Sequence, residues 1–355
     1  MELKRKRILI IGGYGMVGSN IARLIRIVDN SIELVLSGRN PQNGKQLADE
    51  LKNAETAYVN LEEGFDLSKL GNIDLIITAM QDRSNISREV AISNGIACIT
   101  VSELADQISP TTFLSLQKPI VAPIVFAGHW QAGLLTLVIK HLAAKFEHIT
   151  RIEMAGLYDE KDHVGPEVAN DVDGFIGQAL IRQDGQWLSV PAKDNPREIY
   201  LYDRSLVRGY PLSTLDVPSI AAFTNAANIR FDFATGESIG SSRGLKASHD
   251  LYIDMEGVLL SGKKTKLRTI VSGRKGNSQL TAVGVYLLTE RILGLNGKNA
   301  TNAGGLYLPE TVVPVTDLIN RLKEFDIEFI ETSDELYHNC LQKYILLNQI
   351  DISSK

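Results

Sequence analysis

A glycine cluster near the start of the chain constrains the fold more than any other feature. The stretch ILIIGGYGMVGSNIARLI, residues 8–25, places four apolar residues before the glycines and apolar residues at spacings of three and four after them. This pattern predicts a buried strand, a tight turn and an α-helix. Such a turn presents backbone N–H groups and a helix N-terminus to an anion, and glycine lets a pyrophosphate approach the backbone. We therefore predict a dinucleotide-binding turn made of Gly12, Gly13, Tyr14, Gly15, Met16, Val17 and Gly18.

Two glycine patterns overlap in this turn. Gly13, Gly15 and Gly18 fit G-x-G-x-x-G. Gly12, Gly15 and Gly18 fit the looser G-x-x-G-x-x-G, which would follow a strand that ends at Ile11. The sequence leaves both registers open.

Strand and helix patterns alternate over the first 126 residues. Further apolar strands are predicted at 32–38, 56–61, 73–80, 96–102 and 118–128. Strands that are apolar throughout are buried on both faces, which is typical of a parallel sheet covered by helices. Residues 1–126 are therefore predicted to form a dinucleotide-binding α/β domain.

The pattern changes after residue 126. The runs EIYLYD, NIRFDFAT, LYIDMEGVLL and KLRTIVSG alternate or are rich in β-branched residues, and Asp184-Gly185 is a hairpin turn signal. Residues 127–355 are predicted to form a second, α+β domain for substrate binding and dimerisation, with a largely antiparallel sheet and C-terminal helices that pack back on the first domain. Its helices are predicted through Phe175, Ile176 and Leu180, from about Ser278 to Leu293, and after Thr316.

The end of the second strand bears on the choice of dinucleotide. Sites for NAD usually place an acidic residue there to bind the ribose 2′-hydroxyl, whereas this chain has Ser37, Gly38, Arg39 and Asn40. An arginine can bind a 2′-phosphate through two N–H groups, with Ser37 and Asn40 adding neutral contacts. This favours NADP over NAD, although Arg39 as a solvated surface residue is the alternative.

Composition excludes several classes of function. The net charge of −5 argues against nucleic acid as a partner. No apolar segment approaches the ~20 residues that cross a bilayer, so we expect a cytoplasmic protein without a membrane partner. The two cysteines, Cys98 and Cys340, lack the spacing of a metal site, and no metal is predicted. A small-molecule substrate is the remaining expectation.

Several stretches resemble a known family. The runs VLSGRNPQNGKQLADEL, DLIITAM, AISNGIACITVSE and GGLYLPETVVPVTDLINRLKEFDIE are similar to those of the saccharopine dehydrogenase-like reductases of the NAD(P)-binding Rossmann superfamily. The resemblance implies a Rossmann domain, a second domain that shapes the substrate site and often the dimer interface, and hydride transfer at a carbon bonded to nitrogen. It also implies NADP, because similar members carry a Cys-Arg or Gly-Arg that matches Gly38-Arg39.

One segment departs from the family pattern. Saccharopine reductases carry a Gly-x-Asp-Pro-Gly turn after the last Rossmann strand, where this chain reads HWQAG, residues 129–133. Only the final glycine is shared, which argues against saccharopine itself as the substrate.

Candidate site residues follow from the strand ends, because ligands of open α/β sheets bind outside the carboxyl ends of the strands. Hydride transfer needs a bound nicotinamide and a group that moves a proton. The candidates for proton transfer are His129, Glu103, Tyr158 and His163. The candidates for cofactor contact at the fourth strand are Ala79 and Met80. The candidates for substrate binding are Trp130, Arg208, Arg243 and Arg268.

Other classes of protein fit these residues less well. A short-chain dehydrogenase would need Tyr-x-x-x-Lys, but Lys161 follows Tyr158 by only three positions. A semialdehyde-type dehydrogenase needs a cysteine nucleophile on a loop, whereas Cys98 lies inside an apolar strand. A non-catalytic dinucleotide-binding regulator that senses redox state is the alternative that remains open.

Overall fold

A computed structural model describes residues 5–102, 105–162 and 177–333. The segment that contains Phe175 and Ile176 lies outside the described residues. Leu180 belongs to a strand, so the prediction that a helix runs through this residue is wrong. Residues on either side of the Asp184-Gly185 turn pair as the predicted hairpin.

The first sheet is parallel and has the strand order β15-β6-β5-β4-β1-β2-β3. Its five central strands are mostly buried on both faces, as their apolar runs predict, whereas the two edge strands are partly exposed. The strands are β1 (Arg7–Ile11), β2 (Glu33–Gly38), β3 (Ala54–Tyr58), β4 (Leu75–Gln81), β5 (Ala97–Ser102), β6 (Pro123–Phe126) and β15 (Gly305–Tyr307).

Helices connect these strands, and the order reverses direction beside β1, where a parallel sheet of this type opens a crevice for a ligand. The connecting helices are α1 (Met16–Val28), α2 (Lys45–Leu51), α3 (Ile86–Asn94) and α4 (Ala105–Gln117). The predicted α/β fold class is confirmed.

The second sheet is mixed and mostly antiparallel, with β12 and β7 as a parallel pair. Its main path runs β10-β11-β12-β7-β13-β14-β16, and β8 and β9 form a hairpin attached to β12. The strands are β7 (Phe146–Tyr158), β8 (Gln178–Gln183), β9 (Gln186–Pro191), β10 (Arg197–Tyr200), β11 (Leu206–Pro211), β12 (Asn228–Thr235), β13 (His249–Leu259), β14 (Lys264–Gly273) and β16 (Ile327–Ser333).

Most of the helices cover one face of this sheet and connect it to the first, and the short helix at Ile239–Ser242 packs on the opposite face. The longest ends at Gly294, whose φ of 66° is the left-handed conformation that glycine adopts most easily. The helices are α5 (Leu134–Ala143), α6 (Asp216–Phe223), α7 (Ile239–Ser242), α8 (Asn277–Leu293), α9 (Pro309–Val312) and α10 (Leu318–Glu324).

One apolar core joins the two sheets. It contains Ile8 and Ile10 of β1, Leu134 of α5, and Leu251 and Ile253 of β13. The C-terminal part of the chain also returns to the first sheet, because β15 pairs with β6. The two sheets therefore share a core and are also linked by the chain.

Candidate cofactor and substrate site

The glycine turn follows β1 directly and is held by the neighbouring strand. Gly12 has a φ of +75°, and the N–H groups of Gly12 and Gly13 donate to the carbonyl of Ser37 at 2.9 and 3.1 Å. A Cβ on Gly18 would overlap the carbonyl oxygen of Gly12, so glycine is required where α1 crosses the turn. The spacing that builds the turn is thus Gly12-x-x-Gly15-x-x-Gly18.

Gly13 and Gly15 differ in what surrounds them. A Cβ on Gly13 would lie 2.7 Å from the carbonyl oxygen of Ile10, inside the sheet, so Gly13 is needed for packing. A Cβ on Gly15 would contact only the carbonyl oxygen of Gly12, at 3.2 Å. Gly15 has extended backbone angles and is exposed, so its missing side chain leaves the backbone open to solvent.

The N-terminus of α1 has no side-chain cap. Gly15 is the N-cap residue and offers no side-chain hydrogen bond, and the first turn carries no acidic residue. The first N–H groups of a helix have no partner within the helix, and its dipole favours a negative charge there. An anion at the exposed Gly15 and Met16 would supply both the hydrogen bonds and the charge.

The end of β2 is tied to the glycine turn by Tyr14. The backbone N–H of Asn40 donates to the Tyr14 hydroxyl at 3.0 Å, and a Cβ on Gly38 would lie 2.5 Å from that hydroxyl oxygen. Arg39 and Asn40 are exposed. Ser37 is fully buried and its hydroxyl donates to the carbonyl of Ile10 at 3.2 Å, so its side chain serves packing rather than the predicted ligand contact.

The end of β4 lies beside the same turn. A Cβ on Gly12 would contact the Ala79 carbonyl and the Met80 Cβ at 3.4 Å. Both residues are partly exposed, as expected for residues beside a ligand. Asp82 then accepts from the N–H groups of Ile86 and Ser87 at 3.1 and 2.7 Å and fixes the start of α3.

The segment that follows β6 has an unusual backbone. Gln131, Ala132 and Gly133 have positive φ values of 56°, 52° and 87°. The Gln131 amide holds this turn, because it donates to the Asn277 side chain at 2.6 Å and accepts from the Thr281 hydroxyl at 2.6 Å. Left-handed residues other than glycine cost free energy and persist where surrounding contacts enforce them, often at functional sites.

Gly133, the residue shared with the family turn, has a packing role. A Cβ at this position would overlap the ring of Pro309. The following Glu310 is buried, and its carbonyl accepts from the Lys140 ammonium at 2.5 Å. The Leu-Pro-Glu segment at 308–310 therefore fixes the turn after β6.

His129 begins this segment and is buried, with 3% of its surface exposed. Its Nε2 lies 2.6 Å from the Ser219 hydroxyl of α6. Its Nδ1 has no hydrogen-bond partner within the described ranges. Ser219 thus orients the ring through Nε2, whereas Nδ1 forms no hydrogen bond with another described residue.

Trp130 projects from the segment onto the second sheet. Its backbone N–H donates to the buried Asp216 carboxylate at 2.8 Å, and its ring fills the space beside Gly156, where a Cβ would lie 2.9 Å away. Phe231 and Phe233 lie 5.0 and 6.2 Å from it between ring centroids. Tyr158 stacks on Phe233 at 6.1 Å, so Trp130 and the predicted Tyr158 belong to one aromatic cluster.

Two of the predicted substrate arginines are bound to carboxylates of the protein. Arg243 donates to both oxygens of Glu328 at 2.9 and 3.2 Å. Arg268 donates to both oxygens of Asp254 at 2.6 Å and lies on the sheet face opposite the aromatic cluster. These ion pairs argue against a substrate carboxylate as the main partner of either guanidinium, and the substrate-binding role of both residues stays a prediction.

Arg208 differs from the other two arginines. It is exposed, and among the residues that the structure describes its guanidinium has no ion-pair partner. On β11 it lies two positions before Tyr210, which pairs with Phe233, so Arg208 shares the sheet face of the aromatic cluster.

Two candidates for proton transfer, Glu103 and His163, lie outside the described residues. Sequence reasoning missed Asp216 and His249, which contact Trp130 from 86 and 119 positions away. No local spacing signals such contacts. Asp216 follows the apolar Leu215 and belongs to no motif that would have marked it as a binding residue.

Cys98 is fully buried, and burial raises the pKa of its thiol to about 12. A thiol with so high a pKa forms little of the thiolate that acts as a nucleophile. Cys340 lies outside the described residues.

Within the described ranges, no group of three or more His, Cys, Asp or Glu residues is arranged to hold a metal ion. No described helix has both the length and the apolar character needed to cross a membrane.

A family model matches the part of the chain that forms most of the first sheet. A family profile described as semialdehyde dehydrogenase, NAD binding domain, matches residues 7–118, which run from β1 to the end of α4. The match covers less than half of the chain and none of the second sheet. No curated protein matches the sequence.

Solved structures match over most of the chain. Apo saccharopine dehydrogenase (L-Glu forming) from Saccharomyces cerevisiae has a TM-score of 0.63 and 12% identity, over 92% of this chain and 99% of that one. Homospermidine synthase from Legionella pneumophila, solved in complex with NAD, has a TM-score of 0.61 and 11% identity, over 93% of this chain and 92% of that one. At these identities the likeness concerns the fold. The chain has a fold similar to that of saccharopine dehydrogenase.

Proposed function

We propose that this protein is an NADP-dependent oxidoreductase that transfers hydride to or from a carbon–nitrogen or carbonyl carbon of a small, carboxylate-bearing metabolite. The observation that carries the proposal is the exposed, uncapped N-terminus of α1 at Gly15, placed by the glycine turn at the carboxyl end of β1. In a sheet of this order, that position receives the pyrophosphate of a dinucleotide.

The dinucleotide would lie along the carboxyl ends of the parallel strands. The N–H groups of Met16 and Val17 would bind its pyrophosphate, and Ala79 and Met80 would line its path toward β5 and β6. Arg39 and Asn40 would hold the adenosine ribose, whose 2′-phosphate a guanidinium recognises through two charge-assisted hydrogen bonds. When bound, the cofactor supplies the hydride chemistry.

The substrate would bind between the turn at 129–133 and the helix-covered face of the second sheet. Trp130 and Tyr158 would form its aromatic wall, and Arg208 would bind its carboxylate. His129 is the favoured proton-transfer group, because Ser219 orients its Nε2 and its buried Nδ1 is unpaired within the described residues. Buried polar atoms without a partner are uncommon, and the Nδ1 of His129 is available to a bound group.

The experiment is a screen of amino acids, keto acids and aldehydes in which the absorbance of NADPH is followed. We expect turnover with a carboxylate-bearing compound. His129→Ala is expected to lower kcat with little change in NADPH affinity, whereas Ser219→Ala, which removes only the orienting hydroxyl, should have a smaller effect. If His129→Ala turns over the substrate as fast as the wild type, His129 has a packing role and does not transfer the proton.

A non-catalytic redox sensor is the second candidate function, because the glycine turn alone would serve it equally well. Such a protein would bind NADPH and NADP⁺ with different affinities without turnover of any compound. Arg208→Ala separates the two candidates. It should raise KM for a carboxylate substrate of an enzyme, and it should have no effect on a sensor that binds only the dinucleotide. A dimer in the cytoplasm remains a prediction under either function.

A further inference from the structure

The indole of Trp130 forms a hydrogen bond that the proposed chemistry does not use. Its Nε1–H donates to Nε2 of His249 at 3.2 Å, and the two ring centroids lie 5.9 Å apart with the planes inclined by 29°. No other hydrogen bond to the indole nitrogen is formed within the described residues. The orientation of the ring about its side-chain torsions therefore depends on His249 and on the aromatic contacts.

His249 is held within the second sheet. It is the first residue of β13, it pairs with Gly273 of β14, and 1% of its surface is exposed. Burial lowers the pKa of its imidazole to about 4, so the ring is neutral near pH 7. Because the indole N–H can only donate, Nε2 of His249 is the acceptor and its proton lies on Nδ1.

The two halves of Trp130 are held by different elements. Asp216 of α6 binds the backbone N–H, whereas His249 of the second sheet binds the indole N–H. Trp130 is partly exposed, whereas its two anchors, His249 and Asp216, are buried. Gly156 leaves room for the ring on the sheet, because a Cβ there would collide with it.

We propose that His249 is a positioning residue that holds the Trp130 indole as a wall of the substrate site. This inference rests on the proposed function. Loss of the acceptor at His249 lets the indole turn away from its place beside Gly156, which changes how the substrate meets the nicotinamide. Within the described residues no hydrogen bond or ring contact joins the glycine turn to Trp130 or His249, so we expect dinucleotide affinity to change little when His249 is replaced.

The test uses the full chain in a Trp187→Phe background, in which Trp130 is the remaining tryptophan of the two in the sequence. Trp187 is an exposed residue of β9, outside the proposed site. His249→Leu removes the acceptor, and His249→Gln supplies an amide oxygen that can accept from the indole. Tryptophan emission, the Kd for NADPH and kcat/KM for the substrate found by the screen are measured for each variant.

We expect His249→Leu to shift the Trp130 emission and to lower kcat/KM about tenfold, the effect of one lost hydrogen bond, while the Kd for NADPH changes less than about twofold. His249→Gln is expected to restore both properties toward wild type. Unchanged emission and kcat/KM in His249→Leu would overturn the proposal. Equal losses in the Leu and Gln variants would also overturn it, because they would indicate a packing role alone.

Trp130→Phe provides a second route that leaves His249 in place. It keeps an aromatic ring but removes the donor, so kcat/KM should fall as in His249→Leu, and the double variant should show no further loss. Additive losses would contradict the coupling even if His249→Leu folds poorly. If the wild type does not bind NADPH, the proposed function fails, whereas the emission of His249→Leu still tests the contact.

Discussion

Arg39 is the residue on which the choice of cofactor depends. It is exposed at the end of β2, and the Tyr14 hydroxyl fixes the adjoining Asn40. A charge-assisted contact to a 2′-phosphate is worth about 1.5 to 3 kcal/mol, so wild type should bind NADPH about tenfold or more tightly than NADH. Arg39→Ala should weaken NADPH and spare NADH, as measured by calorimetry. An unchanged affinity ratio in the variant would indicate that Arg39 is only solvated.

His249 also predicts how stability depends on pH. Its pKa is lowered by burial from 6.5 to about 4, so below pH 6.5 the unfolded chain binds a proton that the folded chain excludes. The unfolding free energy should therefore fall as the pH drops from 6.5 to 4, by about 3 kcal/mol at about 1.4 kcal/mol per pKa unit.

The control for this pH effect is His249→Gln, which does not titrate. The difference in unfolding free energy between wild type and variant is measured by urea denaturation across this range. This difference should be constant above pH 6.5. Below pH 6.5 the wild type should lose stability relative to the variant. A difference that does not vary with pH would mean that the imidazole keeps its ordinary pKa in the folded protein.

At the scale of the element, two glycines at the start of α1 are expected to differ in role. Gly18 is needed for packing, whereas Gly15 leaves the backbone open for binding. A Cβ on Gly18 would overlap the Gly12 carbonyl, whereas a Cβ on Gly15 meets little. Gly18→Ala should therefore lower the unfolding free energy by about 1 to 3 kcal/mol, as overpacked sites do. Gly15→Ala should change it far less. Urea denaturation of both variants checks this, and equal losses would show that the turn relaxes around either side chain.

The glycine turn also shows how far the sequence predicts an element. The strand, the turn and α1 are local, so their apolar spacing and glycines predict all three. The register of the glycines depends on where β1 ends and on the contact between Gly18 and Gly12, which only the folded chain shows. β15 has three residues, too few for a periodic pattern, and the sequence did not reveal it.

Contacts between residues that are distant in sequence account for the features of the candidate site that the sequence did not predict. Arg268 and Asp254 face each other across a hairpin, and Arg243 meets Glu328 across 85 positions, so the sequence does not reveal that both arginines are paired. His249 was missed because its hydrogen bond with Trp130 joins residues that are 119 positions apart. Arg39 and Trp130 could be proposed from sequence alone because they come after the ends of predicted strands, and their roles in the site stay predictions.

At the scale of the whole molecule, the two sheets share one core. Residues of β1, α5, β13 and α8 pack in a single apolar cluster, and β15 returns the chain to the first sheet. Chemical denaturation should therefore show one cooperative transition. In circular dichroism, the far-UV signal of the helices and the near-UV signal of the packed aromatic rings should be lost at the same denaturant concentration. Two separate transitions would show that the sheets fold as independent units.

The central claim is that the exposed start of α1 binds the pyrophosphate of a dinucleotide. The most direct test is calorimetric titration of NADPH into wild type and Gly15→Val, with thermal unfolding as the control for folding. The valine side chain would occupy the space that the phosphate needs, while the extended backbone of Gly15 accepts it. We expect binding to wild type and none to a variant that unfolds near the wild-type temperature. Equal NADPH affinity in the folded variant would contradict the account.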